Sequence, residues 1–170
     1  MCMFFSKIYK SWKRIQTEKY RKVFDALGPD FLEGMFKRRT LDIGYGPGFF
    51  ERFLQKKGFD TRNFIAVDID REMTAQGKDS SQKIIADANM LPFKAESFDS
   101  VVCLDALHLI NTDFTRVMKK GGFALVSLFF NSQNHREVKR LLKERLKGLR
   151  IIREFSAAGR ENGIFVLARK

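Results

Sequence analysis

Cysteine is nearly absent from this chain: only Cys2 and Cys103 occur among 170 residues, with no CxxC spacing, which excludes a disulfide framework and a cysteine zinc site. Histidine is equally scarce. His108 and His135 stand in no metal-ligand spacing, so no metal is expected. Long apolar runs are also missing. The longest, Phe123 to Phe130, falls well short of the roughly 20 residues that cross a bilayer, so no membrane span is expected. The apolar first five residues are followed at once by Lys7, Lys10, Lys13 and Arg14, the reverse of a secretion signal, and the expected location is cytoplasmic. No repeat, low-complexity tract or linker rich in Pro, Gly and Ser marks a boundary. One domain is expected, with residues 1–38 as a helical segment and candidate lid of that domain, and 39–170 as its ligand-binding part.

What is abundant is positive charge, and it is uneven. The net charge of +12 divides into +6 over residues 1–40, −1 over 41–130 and +7 over 131–170. Basic flanks around a neutral centre attract nucleic acid, acidic protein or an anionic surface through forces that salt weakens, or simply solubilise the molecule.

Short apolar runs alternate with amphipathic segments. The runs Thr40–Ile43, Phe64–Val67, Ile84–Ala86, Val101–Leu104, Phe123–Phe129, Ile151–Phe155 and Ile164–Ala168 read as strands. Between them lie helical patterns, such as Phe49, Phe50, Phe53 and Leu54 against Glu51, Arg52, Lys56 and Lys57, stopped by Gly58. This is an α/β chain with a mainly parallel sheet and helices on both faces. The last two runs are joined by Ser156–Gly163, too short for a crossover helix, so they form an antiparallel hairpin.

The richest stretch is Thr40-Leu41-Asp42-Ile43-Gly44-Tyr45-Gly46-Pro47-Gly48-Phe49. A strand entering a glycine-rich turn that opens a helix brings ligand against bare backbone and the positive end of the helix. The dinucleotide fingerprint fails, because Phe49 stands where its third glycine belongs, and Asp42 would repel a pyrophosphate. A ligand with amino and sulfonium cations suits that carboxylate better. Asp68 and Asp87 end the next two strands, and the carboxyl ends of parallel strands share one crevice, so the three acids converge there. Asp68, 20 residues after Gly48, is placed to accept ribose hydroxyls, and Asp87 to accept from an exocyclic amine while the Ala88 N–H donates to a ring nitrogen. Ile69, Met90 and Leu91 offer apolar surface to an adenine, or fill core.

These blocks, with Ser97-Phe98-Asp99, Ala106-Leu107-His108 and Met118-Lys119-Lys120-Gly121-Gly122 following in order, resemble the class I S-adenosylmethionine-dependent methyltransferases, most closely the ubiquinone/menaquinone-biosynthesis type. The resemblance implies a Rossmann-like, mostly parallel seven-stranded sheet and S-adenosyl-L-methionine as cofactor. It implies that Asp42 and the backbone of Gly44, Tyr45, Gly46 and Gly48 face the methionine part, Asp68 the ribose, Ile69 with Asp87 and Ala88 the adenine, and the Leu104 carbonyl the methionine amino group. Ala66 and Asp70 depart from the family's usual Gly and Ser/Thr, Asp70 adding acid to the rim, and Leu109 replaces a common second histidine.

Methyl transfer needs alignment first, worth roughly 7 to 11 kcal/mol in favourable cases, so a catalytic base is optional. Asp105 and His108, after the fourth strand, are the candidates. Leu104-Asp105-Ala106-Leu107 lacks the Asn/Asp-Pro-Pro-aromatic segment of base-amine methyltransferases, and Cys103 sits in an apolar strand as a core residue rather than a nucleophile. No insertion near the fifth strand provides a lid, which leaves residues 1–38. There Tyr9, Trp12 and Tyr20 with Lys10, Lys13 and Arg14 either suit RNA or dock the helix. Arg136, Arg140, Lys143 and Lys147 form a basic stripe opposite Val138, Leu141, Leu142 and Leu146. The expected function is methyl transfer to an unidentified acceptor, leaning to a small molecule, with RNA or protein as alternatives. A homodimer or a partner subunit completing the pocket stays open, as does a cofactor-binding regulatory subunit in place of an enzyme.

Overall fold

The computed structural model describes residues 2–170, with side chains from Trp12 onward. The side chains of Tyr9 and Lys10, expected above to join an aromatic and basic surface, lie outside the described residues. Helix α1 (Cys2–Leu27) ends at Gly28 (φ +80), and Pro29 opens α2 (Pro29–Phe36) from its first position, where its missing N–H costs nothing. Then β1 (Thr40–Ile43), α3 (Phe49–Lys56), β2 (Phe64–Asp68), α4 (Arg71–Ala75), β3 (Gln82–Ile85), β4 (Phe98–Leu104), β5 (Met118–Phe130), α5 (His135–Arg145), β6 (Arg150–Ala157) and β7 (Asn162–Arg169) follow. Short 3-10 turns stand between β3 and β5.

One sheet of seven strands has the order β3-β2-β1-β4-β5-β7-β6. The first five are mutually parallel, whereas β7 runs antiparallel to β5 and to β6, the hairpin expected from the short connection. Strand order reverses direction between β1 and β4, and at such a switch point the flanking loops diverge and leave a crevice at the carboxyl ends.

Side-chain alternation sorts the core into two layers. On one face α1, α2 and α3 bury Val23, Leu32, Phe36, Phe50 and Leu54 against Phe64, Val102 and Leu125. On the other, α5 and the 3-10 turns bury Val138, Leu142, Leu107 and Phe114 against Leu41, Val101 and Val126. Most strands run past their apolar runs, β4 starting three residues early at Phe98 and β6 and β7 extending by one or two residues at each end, and two boundaries have a specific cause. β5 starts five residues early, through Lys119 and Lys120, because a register shift against β4 accommodates Gly121 at φ +78. β3 is an edge strand that opens with the polar Gln82, exposed, and Lys83, half-buried, and so leaves no apolar signature there. Glu51, read above as part of α3's polar face, is instead fully buried.

Phe36 anchors the α2 layer, with its ring 5.3 Å from Phe64 and 5.8 Å from Phe50, and it is 1% exposed. Phe36→Ala is expected to cost about 3–5 kcal/mol, read as a lower urea midpoint with unchanged slope.

Candidate functional site

The loop after β1 is shaped by steric exclusion. At Gly44 (φ +78) a Cβ would overlap the Ala106 methyl, so only glycine lets the loops after β1 and β4 close on each other. Gly46 (φ +56) has open space beside it, toward the crevice. Beneath the loop the Tyr45 ring, 5% exposed, reaches under Gly48 and Gly77 and hydrogen-bonds the Asp79 carboxylate. Tyr45 thus props the loop with its side chain while its backbone borders the crevice.

Asp42, Asp68 and Asp87, at the ends of β1, β2 and β3, line one crevice of about 450 Å³ together with Gly44, Tyr45, Gly46, Ile69, Ala88 and Leu104. That volume lies in the roughly 300–1,000 Å³ range of small-molecule sites. Among the described residues, the lining contains no lysine, arginine or histidine. Asp68 accepts from the Gly46 N–H at 2.6 Å with one oxygen and from the Asp70 N–H at 2.8 Å with the other. It therefore clamps the glycine loop to β2, and each oxygen keeps a second lone pair for a ligand hydroxyl. Asp87 caps the following turn by accepting from the Asn89 N–H at 2.8 Å, leaving its other oxygen without a donor among the described residues and Ala88 on the crevice wall. Asp70, expected to acidify the rim, instead caps α4 through the Met73 N–H and is not among the lining residues.

Asp42 is 3% exposed and Glu51, from the first turn of α3, is fully buried beside it. Among the described residues no donor reaches either Glu51 oxygen, and a proton between the two carboxyls reconciles their burial. Burial and the Asp42 charge hold Glu51 well above the usual carboxylate range, and it donates to Asp42. Burial also lifts Asp42, to about 6, against the lowering effect of that hydrogen bond. A cation in the crevice would favour the ionised Asp42, whereas an anion would oppose it.

The far wall comes from α1. Trp12, Gln16 and Tyr20 recur every fourth residue and so line the crevice from one helix stripe. Their anchor is Asp105, in a left-handed conformation (φ +60) that costs an ordinary residue about 1–2 kcal/mol. Its carboxylate accepts from Lys19 Nζ at 2.7 Å, Gln16 Nε2 at 3.1 Å and Ser127 Oγ at 3.0 Å. Lys19, 2% exposed, also pairs with Glu161 in the β6–β7 turn. Asp105 lines the crevice, but its oxygens are engaged by α1 and β5. His108 is exposed, its ring centroid 6.1 Å from Phe129, and it is not a lining residue. Of the apolar candidates, Ile69 is 69% exposed at the rim, Met90 is 79% exposed away from the lining, and Leu91 is core. Gly48 caps α3 below the lining residues. Cys103 is buried, and burial pushes its thiol well above its ordinary range, which suits a core residue.

Sequence reading missed Gln16, Lys19, Glu51, Asn89 and Ser127. The stripe spacing of Trp12 and Tyr20 could have singled out Gln16, but nothing local distinguishes Lys19 from its exposed neighbours.

The profile of the methyltransferase-domain family matches residues 41–126, half of the chain, and the chain belongs to that family. The sheet has the class I methyltransferase arrangement, shared with a Haemonchus contortus phosphoethanolamine N-methyltransferase 2 solved in complex with S-adenosyl-L-methionine, at a TM-score of 0.58 and 19% identity over 78% of this chain and 48% of that one. An uncharacterized protein of Methanocaldococcus jannaschii is 28% identical over 155 residues, covering 85% of this chain and 56% of its own length. A tRNA (carboxymethyluridine(34)-5-O)-methyltransferase of Arabidopsis thaliana is 27% identical over 149 residues, covering 73% of this chain and 36% of its own. The chain thus spans about half or less of the curated relatives it matches. Among solved structures, a methyltransferase in complex with the Haloferax volcanii Trm112 methyltransferase activator superposes with a TM-score of 0.62 at 15% identity, over 94% of this chain and 96% of that one. No helix among the described residues is long and apolar enough to cross a membrane.

Glu51 binds its proton more tightly folded than unfolded, so its contribution to stability falls as pH rises from the usual carboxylate range toward its raised folded value. Glu51→Gln is therefore expected to melt above the parent at pH 8, with the gap narrowing as pH falls toward the usual carboxylate range, as read in thermal scans at the two pH values. Lys19→Met leaves Asp105 buried without its cation, and a loss of about 3–5 kcal/mol is expected in urea unfolding.

Proposed function

We propose that the chain transfers a methyl group from S-adenosyl-L-methionine to an acceptor bound between the crevice and α1, in the cytoplasm. The observation that carries this reading is the crevice itself, lined by Asp42, Asp68, Asp87 and Asp105 with no basic side chain among the described residues. Such a wall repels phosphate and suits a ligand with a diol, an amine and a cationic centre. The residues fit the group: Gly46 leaves open space where a Cβ would stand, and Asp68 and Asp87 retain free acceptor capacity.

In this reading the glycine loop and Asp42 hold the methionine end, joined by the Leu104 carbonyl. Asp68 takes the ribose, and Asp87, Ala88 and Ile69 the adenine. When bound, the cofactor supplies a methyl already activated by its sulfonium. The chain's own task is to exclude water and aim a nucleophile, and positioning of this kind accounts for roughly 7 to 11 kcal/mol in favourable cases. Asp105 serves as a positioning residue that fixes the acceptor wall through Lys19 and Gln16, rather than as a proton acceptor. His108 is exposed and outside the crevice lining, so no proton-accepting role is assigned to it in this reading. The acceptor therefore brings a nucleophile that needs no strong base.

A small-molecule acceptor suits a crevice closed on one side by α1. A second reading, an acceptor within RNA, is supported by the name of the Arabidopsis relative and by the +12 charge. The Haloferax complex supports testing a partner subunit alongside.

Calorimetry with S-adenosylhomocysteine is expected to show micromolar binding that weakens as pH falls through about 6, where Asp42 takes up its proton. Asp68→Ala is expected to lose about 1.5–3 kcal/mol of that binding; unchanged affinity would remove Asp68 from the ribose role. Incubating the pure chain with cell extract and labelled S-adenosylmethionine tests turnover, and loss of label transfer after ribonuclease treatment selects RNA. Transfer only when extract protein is left intact would favour the subunit reading.

A further inference from the structure

The crevice is acidic, yet the molecule carries twelve excess positive charges, and many of them gather at the opposite end of the sheet. The register Thr40–Ser100–Phe123–Arg169–Arg150 crosses β1, β4, β5, β7 and β6 in one row at the amino ends of the parallel strands. Strand spacing makes that row about 19 Å long, and Ser100 lies about 13 Å along β4 from Leu104 at the crevice.

A groove of about 570 Å³ opens on this row between α2 and the starts of β4 and β5. Arg38, Lys119, Lys120 and Arg169 line it against two acids, Asp30 and Asp99. Asp99 is shared by Lys119 at 2.9 Å and Arg38 at 4.0 Å, while Lys120 and Arg169 have no acid partner among the described residues. Arg169 is held in place by donating to the Gly121 carbonyl and by lying 5.5 Å from the Phe123 ring centroid. Phe31 meets Phe123 edge to face at 5.4 Å and is 36% exposed in the groove. Exposed Arg39 and Arg150, likewise without acid partners, extend the positive row at either side.

We infer that this groove binds a single strand of nucleic acid, its phosphates along Arg38, Lys120 and Arg169 and one base against Phe31. A cationic track with an accessible aromatic face is the combination that holds single strands with little sequence preference. An acidic protein partner would need an apolar centre to its interface, and Phe31 is the one large apolar side chain in the groove that is counted among the exposed ones. The groove is separate from the crevice, sharing no lining residue with it, so this inference stands apart from the donor reading.

The test is fluorescence anisotropy of the full chain with labelled mixed-sequence 12-nucleotide RNA and with DNA of the same sequence, across a salt series. Lys120→Ser with Arg169→Ser is expected to weaken binding at least tenfold at low salt and to lower the slope of log K against log salt by about 1.4, at roughly 0.7 per cation. Phe31→Leu is expected to weaken it about fivefold or more without changing the slope. Arg136→Ser with Arg140→Ser on the α5 stripe is expected to change it less than twofold. Tighter binding of RNA than DNA identifies RNA as the source of the strand, and the reverse identifies DNA. Equal losses from the groove and α5 pairs, no loss from the groove pair, or competition by polyglutamate as effective as by unlabelled strand would overturn the inference. S-adenosylhomocysteine binding by each variant, measured in parallel, reports that the fold is intact, and its failure in the parent would strike only the donor reading.

Discussion

A desolvated carboxyl at the centre of the fold constrains the rest of this structure. Asp42 lies between the sheet and α3, 3% exposed, and among the described residues its charge has no lysine or arginine beside it in the crevice. An unpaired buried carboxylate is costly, and the protein meets the cost with a proton held on Glu51 rather than with a counter-ion. The choice has a chemical consequence. A lysine or arginine partner would stabilise Asp42 permanently and cancel its field, whereas a protonated neighbour orients it and leaves its negative potential for a cationic ligand.

The second carboxylate cluster works differently. Asp105 is buried with a lysine, and the pair ties three segments together: α1 through Lys19 and Gln16, β5 through Ser127, and the β6–β7 turn through Glu161. Removing a partner from such a knot is expensive, while its net worth over an apolar packing is small. Its contribution is geometric. The knot holds Trp12, Gln16 and Tyr20 against the crevice, so the strained left-handed Asp105 is a hinge between the sheet and the acceptor wall.

Charge is thereby separated along the strand axis. Parallel strands all present their carboxyl ends to one side, and the acids that close β1, β2 and β3 gather there. The residues that open strands, Arg38 and Arg39 before β1 and Lys119 and Lys120 in β5, gather at the other side with Arg169 of the antiparallel β7. An acidic ligand crevice and a basic outer end can coexist in one small domain because roughly 13 Å of strand and a packed core lie between them, more than the Debye length of about 8 Å at physiological salt.

The seven strands, their parallel arrangement, the terminal hairpin and the glycine loop were all legible in the order of residues, because each rests on local periodicity or on a backbone conformation that glycine alone adopts readily. The convergence of Asp42, Asp68 and Asp87 was legible as well, since adjacent parallel strands must end side by side. Asp105 and His108 were singled out for their place after β4, but only packing separates them: one turns inward to Lys19, 86 residues away, and the other lies on the surface. Glu51 looked like a solvated helix residue because helical phase cannot say that α1 covers that side of α3 as well. Sequence by itself determined the strand order's raw materials and the chemistry of the loop. Tertiary structure alone decided which acids are dry, paired or free, because burial and pairing are set by contacts between segments far apart in the chain.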